Sequence, residues 1–180
     1  MRQTIHKTFF IWNFREEEQW INEMSEQGLH LVDAGRFRYV FEEGEPGAYR
    51  YRLELMEHLP THPESRKYIE FMEETGAEYV DHVDRWVYFR KKAAEGEFDL
   101  YSDINSRISH VQRILNLIRI LVVVEGICIV MELLACFVGH VDAARSIAGF
   151  LACFEVLLLM GWKKVKQVRD GLVRERAIRE

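Results

Sequence analysis

The polar part of this chain contains no cysteine: Cys128, Cys136 and Cys153 all fall in apolar segments near the C-terminus. That excludes a disulfide framework of the secreted kind, and the three thiols read as small residues of a membrane segment. A secretory signal is missing too, since Met1-Arg2-Gln3-Thr4-Ile5-His6-Lys7 has neither an apolar core nor a small-residue cleavage site. The first domain is therefore expected to stay in the cytoplasm, where it is made. Ser, His and Asp occur without a nucleophile-elbow context and there is no glycine-rich phosphate loop, so neither an enzyme nor a cofactor is expected. His58 and His62 form one close histidine pair, but Pro60 between them argues against a helical metal pair and spacing supplies no further ligand. No metal site is expected. Basic charge is also in short supply: residues 1–112 hold 14 Lys+Arg against 22 Asp+Glu, within a formal net charge of -5, which disfavours nucleic acid as a partner. No internal repeat stands out.

What the chain does have is two long apolar runs, Ile120 to Val138 and Ala143 to Trp162. Each is close to the roughly 20 residues that span a ~30 Å hydrocarbon core. Arg113, Arg119, Lys163, Lys164, Lys166 and Arg169 flank the runs, whereas the short connection between them offers Arg145 alone. The positive-inside bias then gives a two-pass protein of the inner membrane with both termini cytoplasmic. A soluble four-helix core built by two copies is the competing reading of the same runs.

Upstream, Lys7 to Asn13 reads as a buried strand, and Glu16 to Gln27 as a helix with Trp20, Ile21 and Met24 on one face, stopped by Gly28. Leu29 to Glu42 and Ala48 to Met56 alternate as two strands of a hairpin around Glu43-Gly44-Glu45-Pro46-Gly47. Glu64 to Thr75 reads as a second helix stopped by Gly76, and Tyr79 to Lys91 as a last strand. The expected fold is thus α+β, a ferredoxin-like βαββαβ domain with both helices on one face of a four-stranded antiparallel sheet, followed by a two-helix transmembrane hairpin. The expected divisions are residues 1–100 for the cytoplasmic domain, 101–114 for a helical connector capped by Asp103, 115–162 for the hairpin and 163–180 for a basic cytoplasmic tail.

The segments Lys7-Thr-Phe-Phe-Ile-Trp-Asn-Phe, Glu17-Glu-Gln-Trp-Ile-Asn-Glu-Met, Gly28-Leu-His-Leu, Tyr49-Arg-Tyr-Arg-Leu-Glu, Trp86-Val-Tyr-Phe-Arg-Lys and Tyr101-Ser-Asp-Ile-Asn-Ser-Arg together resemble a bacterial family, domain of unknown function 2812, over residues 5–113. The resemblance implies a membrane-associated protein in a regulatory setting, beside PadR-like transcription regulators. It supplies no active site to carry over.

Two groups of residues remain as candidate sites. One is the open sheet face, where Arg36, Arg38, Arg50 and Arg52 with Trp12, Trp86 and Tyr88 would form a cationic and aromatic platform for an anionic or planar ligand, or for a second copy in a homodimer. The other is intramembrane: Glu125 and Glu132 lie on one stripe of the first run, and Glu125 falls at the depth of Glu155 on the second. Facing carboxylates in low dielectric call for a shared proton, a cation or a partner arginine, and such groups also serve as polar glue. The acidic run Glu16-Glu17-Glu18 reads simply as the negative first turn of its helix. The expected function is a membrane-anchored ligand- or partner-binding regulatory protein, a sensor or adaptor. The alternative is a small accessory subunit of a membrane transporter complex, docking through the intramembrane glutamates.

Overall fold

The computed structural model describes every residue except Ser102, His140, Val141 and Glu180, and leaves undescribed the side chains of 136–139, 142–146, 148 and 179. The chain divides into two compact units, Met1–Ser106 and Arg107–Glu180.

In the first unit, helix α1 (Phe14–Glu26) begins with Glu16 and Glu17 in its first turn, where carboxylates oppose the helix dipole favourably. Helix α2 (Pro63–Glu74) begins with proline at its first position and with the His62 ring accepting the Glu64 amide. Both stop at a glycine with positive φ, +82° at Gly28 and +90° at Gly76. Around them run six strands: β1 (Arg2–Ile5), β2 (Leu29–Ala34), β3 (Tyr39–Glu43), β4 (Tyr49–Leu55), β5 (Glu78–Val83) and β6 (Trp86–Lys92). They form two antiparallel three-stranded sheets, ordered β1-β3-β2 and β4-β6-β5.

The two halves repeat one another. Each is a βαββ unit in which the third strand lies between the first and second. The hairpin registers coincide at an offset of 48 residues: Leu31 faces Phe41 and Tyr79 faces Phe89, and an irregularity follows in both, between Leu31 and Asp33 and between Tyr79 and Asp81. Ile21 and Ile69, Met24 and Met72, Gly28 and Gly76, Asp33 and Asp81, and Phe41 and Phe89 are the same residue at that offset. The chain therefore contains a structural repeat that inspection of the sequence passed over.

One core joins the halves, with Ile21, Leu31, Tyr39, Phe41, Tyr51, Leu53 and Tyr88 buried together. A second, of Met56, Met72, Ala77, Val87, Phe89 and Phe98, fills the space beside α2. Strand alternation explains the division, because Tyr88 and its neighbours Val87 and Phe89 point to opposite faces of the second sheet. Burial on both faces makes Val87-Tyr88-Phe89 a continuous inaccessible run.

The ferredoxin-like arrangement, with its single four-stranded sheet, is corrected by this topology. The segment Leu29 to Glu42 is two strands, because the chain reverses at Gly35, whose amide bonds the Arg38 carbonyl at 2.7 Å. The segment Tyr79 to Lys91 likewise reverses at Asp84, which takes φ 55°, a conformation aspartate tolerates better than most residues. Lys7 to Asn13 is not a strand: the first strand is Arg2–Ile5, and Ile11–Asn13 forms a 3-10 turn. The expected β3–β4 hairpin does not form either, since β3 pairs with β1 and β2.

The outer edge of β4 is closed instead by α1. Glu18, Asn22 and Ser25 project from successive turns and reach alternate residues of the strand. The Leu53 amide donates to Glu18 Oε2 at 2.9 Å, and the Tyr51 amide to Asn22 Oδ1 at 2.9 Å. Asn22 Nδ2 donates to the Tyr51 carbonyl at 3.0 Å and Ser25 Oγ to the Tyr49 carbonyl at 2.8 Å. A row of edge groups that would otherwise invite another strand is thereby satisfied.

In the second unit, α3 (Ile104–Gly139) and α4 (Asp142–Arg179) are long helices. Asp103 caps α3 as expected, accepting the Ser106 amide at 2.9 Å and the Ser106 hydroxyl at 2.7 Å. Val111, Ile114, Leu115, Ile118, Leu158 and Val165 are buried, whereas Ile120, Val123, Val124, Ile127, Met131 and Leu134 are exposed. Among the described residues one helical segment, Ile104–Ala135, is long and apolar enough to cross a membrane by length and composition, with a hydropathy of 2.4. The turn expected at residues 140 and 141 lies outside the described residues.

Candidate ligand cleft

Where the two repeats meet, the first unit holds a cavity of about 360 Å³ lined by Phe9, Phe10, Phe14, Glu17, Tyr39, Trp86 and Tyr88 among others. Its size is in the range of small-molecule pockets. The irregular segment after β1 supplies Phe9 and Phe10, and α1 supplies Phe14 and Glu17. Tyr39 comes from β3 and Trp86 and Tyr88 from β6. The Ala34 amide donates to Asp81 Oδ2 at 2.8 Å, tying β2 of one repeat to β5 of the other. At the rim, Arg36 holds Asp84 through two contacts of 2.9 and 3.1 Å. These two residues occupy equivalent positions, 48 apart, in the two hairpin turns.

The polar centre of the cleft is Glu17. Its Oε1 accepts the hydroxyls of Tyr88 at 2.5 Å and Tyr39 at 2.7 Å. Burial pushes the Glu17 carboxyl above the usual range, and the two phenol donors oppose that shift without cancelling it. Both tyrosines are held well above the ordinary phenol range, first by burial and then by the neighbouring carboxylate. Glu17 Oε2 carries no hydrogen bond among the described residues. Aromatic walls with one half-buried carboxylate suit a ligand that has an apolar body and a hydrogen-bond donor. Stacked pairs stiffen these walls: Phe14 on Trp86 at 5.8 Å and Phe10 on Trp12 at 4.8 Å.

The expected platform is not assembled. Arg38 pairs with Asp33 at 2.7 Å, Arg50 with Glu26 at 2.7 Å, and Arg52 with Glu18 at 3.5 Å, so each guanidinium, like that of Arg36, already has a carboxylate. Arg50 and Arg52 turn toward α1 rather than away from the helices. The sheet face expected to be open is filled by the core joining the repeats, and Tyr88 is 2 % exposed within it. Of the predicted platform, Arg36, Trp86 and Tyr88 do line the cleft, and Trp12 stacks beside it. The residue that sequence reasoning missed is Glu17. Its signal was the position one helical turn before Ile21, which is fully buried.

In the second unit, Glu125 and Glu155 come within electrostatic reach of one another, and Glu125 Oε1 and Glu155 Oε2 are buried without a hydrogen-bond partner among the described residues. Glu132 is half-buried on the same helix, while Cys128 and Cys153 are exposed. The Cys136 side chain lies outside the described residues. Elsewhere, His58 and His62 stack at 4.1 Å with Glu64 beside them, so the fold adds a third potential ligand that linear spacing did not suggest. All three are exposed, and His62 Nδ1 is occupied as the cap of α2.

These features define a class: a two-repeat α+β unit with a ligand-sized cleft at the repeat junction, followed by a helix apolar enough to cross a membrane. The chain belongs to the DUF2812 family, proteins of unknown function, whose model matches residues 13–123. The match takes in Glu17, Tyr39 and Tyr88 but begins after Phe9 and Phe10, and it extends into α3. No curated protein and no solved structure matches the chain.

Proposed function

We propose that this chain is a membrane-anchored regulatory protein whose first unit binds a small molecule in the Glu17 cleft. The observation that carries this reading is the half-buried carboxylate, with one oxygen held by two phenols and the other without a hydrogen bond among the described residues, at the centre of an aromatic cavity. A half-buried carboxylate whose second oxygen faces an aromatic cavity is available to a hydrogen-bond donor on a ligand. Anchoring is supported by the exposed apolar residues of α3 between Ile120 and Leu134, which in a soluble single chain would form an unusually large wet apolar surface. The two-pass topology in the inner membrane, with cytoplasmic termini, is the arrangement the flanking arginines and lysines favour.

The test is fractionation of cells followed by purification of the full chain in mild detergent, with mass spectrometry of retained small molecules and a thermal-shift screen of compounds. A membrane-pool protein that is stabilised by a compound, with the stabilisation lost on Glu17→Gln or Trp86→Ala, is the expected result. A chain in the soluble pool sinks the anchoring, and full stabilisation of both variants sinks the cleft. A second reading, an accessory subunit of a membrane complex, is favoured by the unpartnered oxygens of Glu125 and Glu155. It predicts that Glu125→Leu with Glu155→Leu abolishes co-purification of a partner and leaves ligand stabilisation intact.

A further inference from the structure

The second unit has its own cavity, about 200 Å³, lined by Gln112, Asn116, Arg119, Trp162, Lys166 and Arg169 along with Leu115. Three cations around one small cavity need an explanation, because like charges repel unless an anion sits among them. Part of the cluster is neutralised internally: Arg169 pairs with Asp170 at 2.6 Å. Its other nitrogen, Nη1, donates to Gln112 Oε1 at 3.3 Å, and Gln112 Nε2 donates in turn to Asn116 Oδ1 at 3.0 Å. That chain of bonds uses acceptor atoms and leaves donors over. The Asn116 amide nitrogen, the Arg119 guanidinium and the Lys166 ammonium have no carboxylate partner among the described residues, although Asp170 lies within electrostatic reach of Lys166. Lys166 Nζ is instead held over the Trp162 ring, 4.9 Å from its centroid. Donors of this kind converging on one cavity fit a group with several anionic oxygens, of which phosphate is the common biological example.

The position in the chain decides which phosphate. Arg119 immediately precedes the apolar run that begins at Ile120, and Trp162 closes the other apolar run. Tryptophan, lysine and arginine at such ends mark the level of lipid headgroups. Basic pockets between helices on the cytoplasmic side are suited to anionic headgroups. We infer that the Arg119–Lys166–Arg169 cavity is a binding site for the phosphate of an anionic membrane lipid. The inference rests on the membrane reading above but not on the ligand cleft.

The full chain in detergent is titrated with dihexanoyl phosphatidic acid, dihexanoyl phosphatidylcholine and inorganic phosphate, following Trp162 emission with the Trp162→Phe chain as the blank. Saturable binding of phosphatidic acid, at least about 10-fold tighter than of phosphatidylcholine, is expected, and Arg119→Gln with Lys166→Gln should weaken it by at least about 10-fold. Arg119→Lys, which keeps the charge, should retain most of the binding and so separates loss of charge from loss of fold. Equal affinity for the two lipids, or an unchanged double variant, overturns the site. Inorganic phosphate binding as tightly as the lipid overturns the headgroup assignment in favour of a free anion. Failure of the membrane reading is read separately, from the fractionation.

Discussion

Replacing Glu17 by alanine removes the acceptor shared by two phenols that have little access to water, since Tyr39 and Tyr88 are each 2 % exposed. A buried donor left unsatisfied costs about 1–3 kcal/mol, so two would cost at most about 6 kcal/mol. The adjoining cavity lets water reach part of the space, which brings the expectation down to roughly 2–4 kcal/mol. For a domain of about 100 residues that corresponds to a fall in melting temperature of roughly 10–20 °C. Glu17→Gln keeps an acceptor oxygen for both phenols and should stay within about 1 kcal/mol of the parent at neutral pH. The pH profile separates the two effects. Burial raises the folded-state pKa of Glu17 above the ordinary carboxylate value of 4.5, so the folded protein takes up its proton at higher pH than the unfolded chain. Relative to Glu17→Gln, the parent should therefore gain stability as pH falls through the raised pKa, completing that gain below about 4.5, and lose it as pH rises. The assay is thermal and denaturant unfolding of the full chain in detergent across this range, followed by tryptophan fluorescence. An alanine variant within about 0.5 kcal/mol of the parent, or a glutamine variant as damaged as the alanine one, would refute the reasoning.

Other perturbations address the frame around the cleft. Asn22→Ala strips both edge partners from Tyr51 and should cost roughly 2 kcal/mol, with faster hydrogen exchange at the Tyr51 amide as the local signature. Gly76→Ala imposes a left-handed conformation on alanine at about 1–2 kcal/mol. Gly28→Ala should cost about twice as much, because its added methyl would also stand 2.8 Å from the Gly44 carbonyl oxygen, and denaturant midpoints measure the difference. Arg36→Ala breaks a pair whose side chains are 67% and 62% exposed, so equilibrium unfolding should shift by less than about 1 kcal/mol.

Helix signals were legible because they are local. Trp20, Ile21 and Met24 recur at helical spacing, and Gly28 and Gly76 stop the helices where an L-residue would be strained. The hairpins were not legible, because alternation runs through both turns: the Asp84-Arg85 reversal contains no glycine, and Phe37 continues the pattern although it sits exposed at a turn. Lys7 to Asn13 has strand composition, yet its aromatics are used as cleft walls, a tertiary role that overrides β propensity. The same holds for Glu17: an acidic first turn explains the residue adequately until Tyr39 and Tyr88, distant in sequence, arrive at its oxygen. Trp86 and Tyr88 were singled out as binding residues from their strand, although the surface imagined for them is interior. The repeat was hidden because its matches are sparse and the edge strands differ in length, Arg2–Ile5 against Tyr49–Leu55.

Joining two similar halves in one chain also changes what their junction can become. If the repeat were a separate molecule pairing with itself, position 36 would meet its own copy, and two arginines would repel where Arg36 and Asp84 now attract. A self-pairing molecule would likewise present matching groups on both sides of its central seam. Fusion releases each half from the other's identity, so a single carboxylate, Glu17, can face two phenols from two different strands. The cost is mutual dependence: a charge reversal at position 36 would have to be answered at position 84. The stoichiometry that follows is one cleft for each polypeptide.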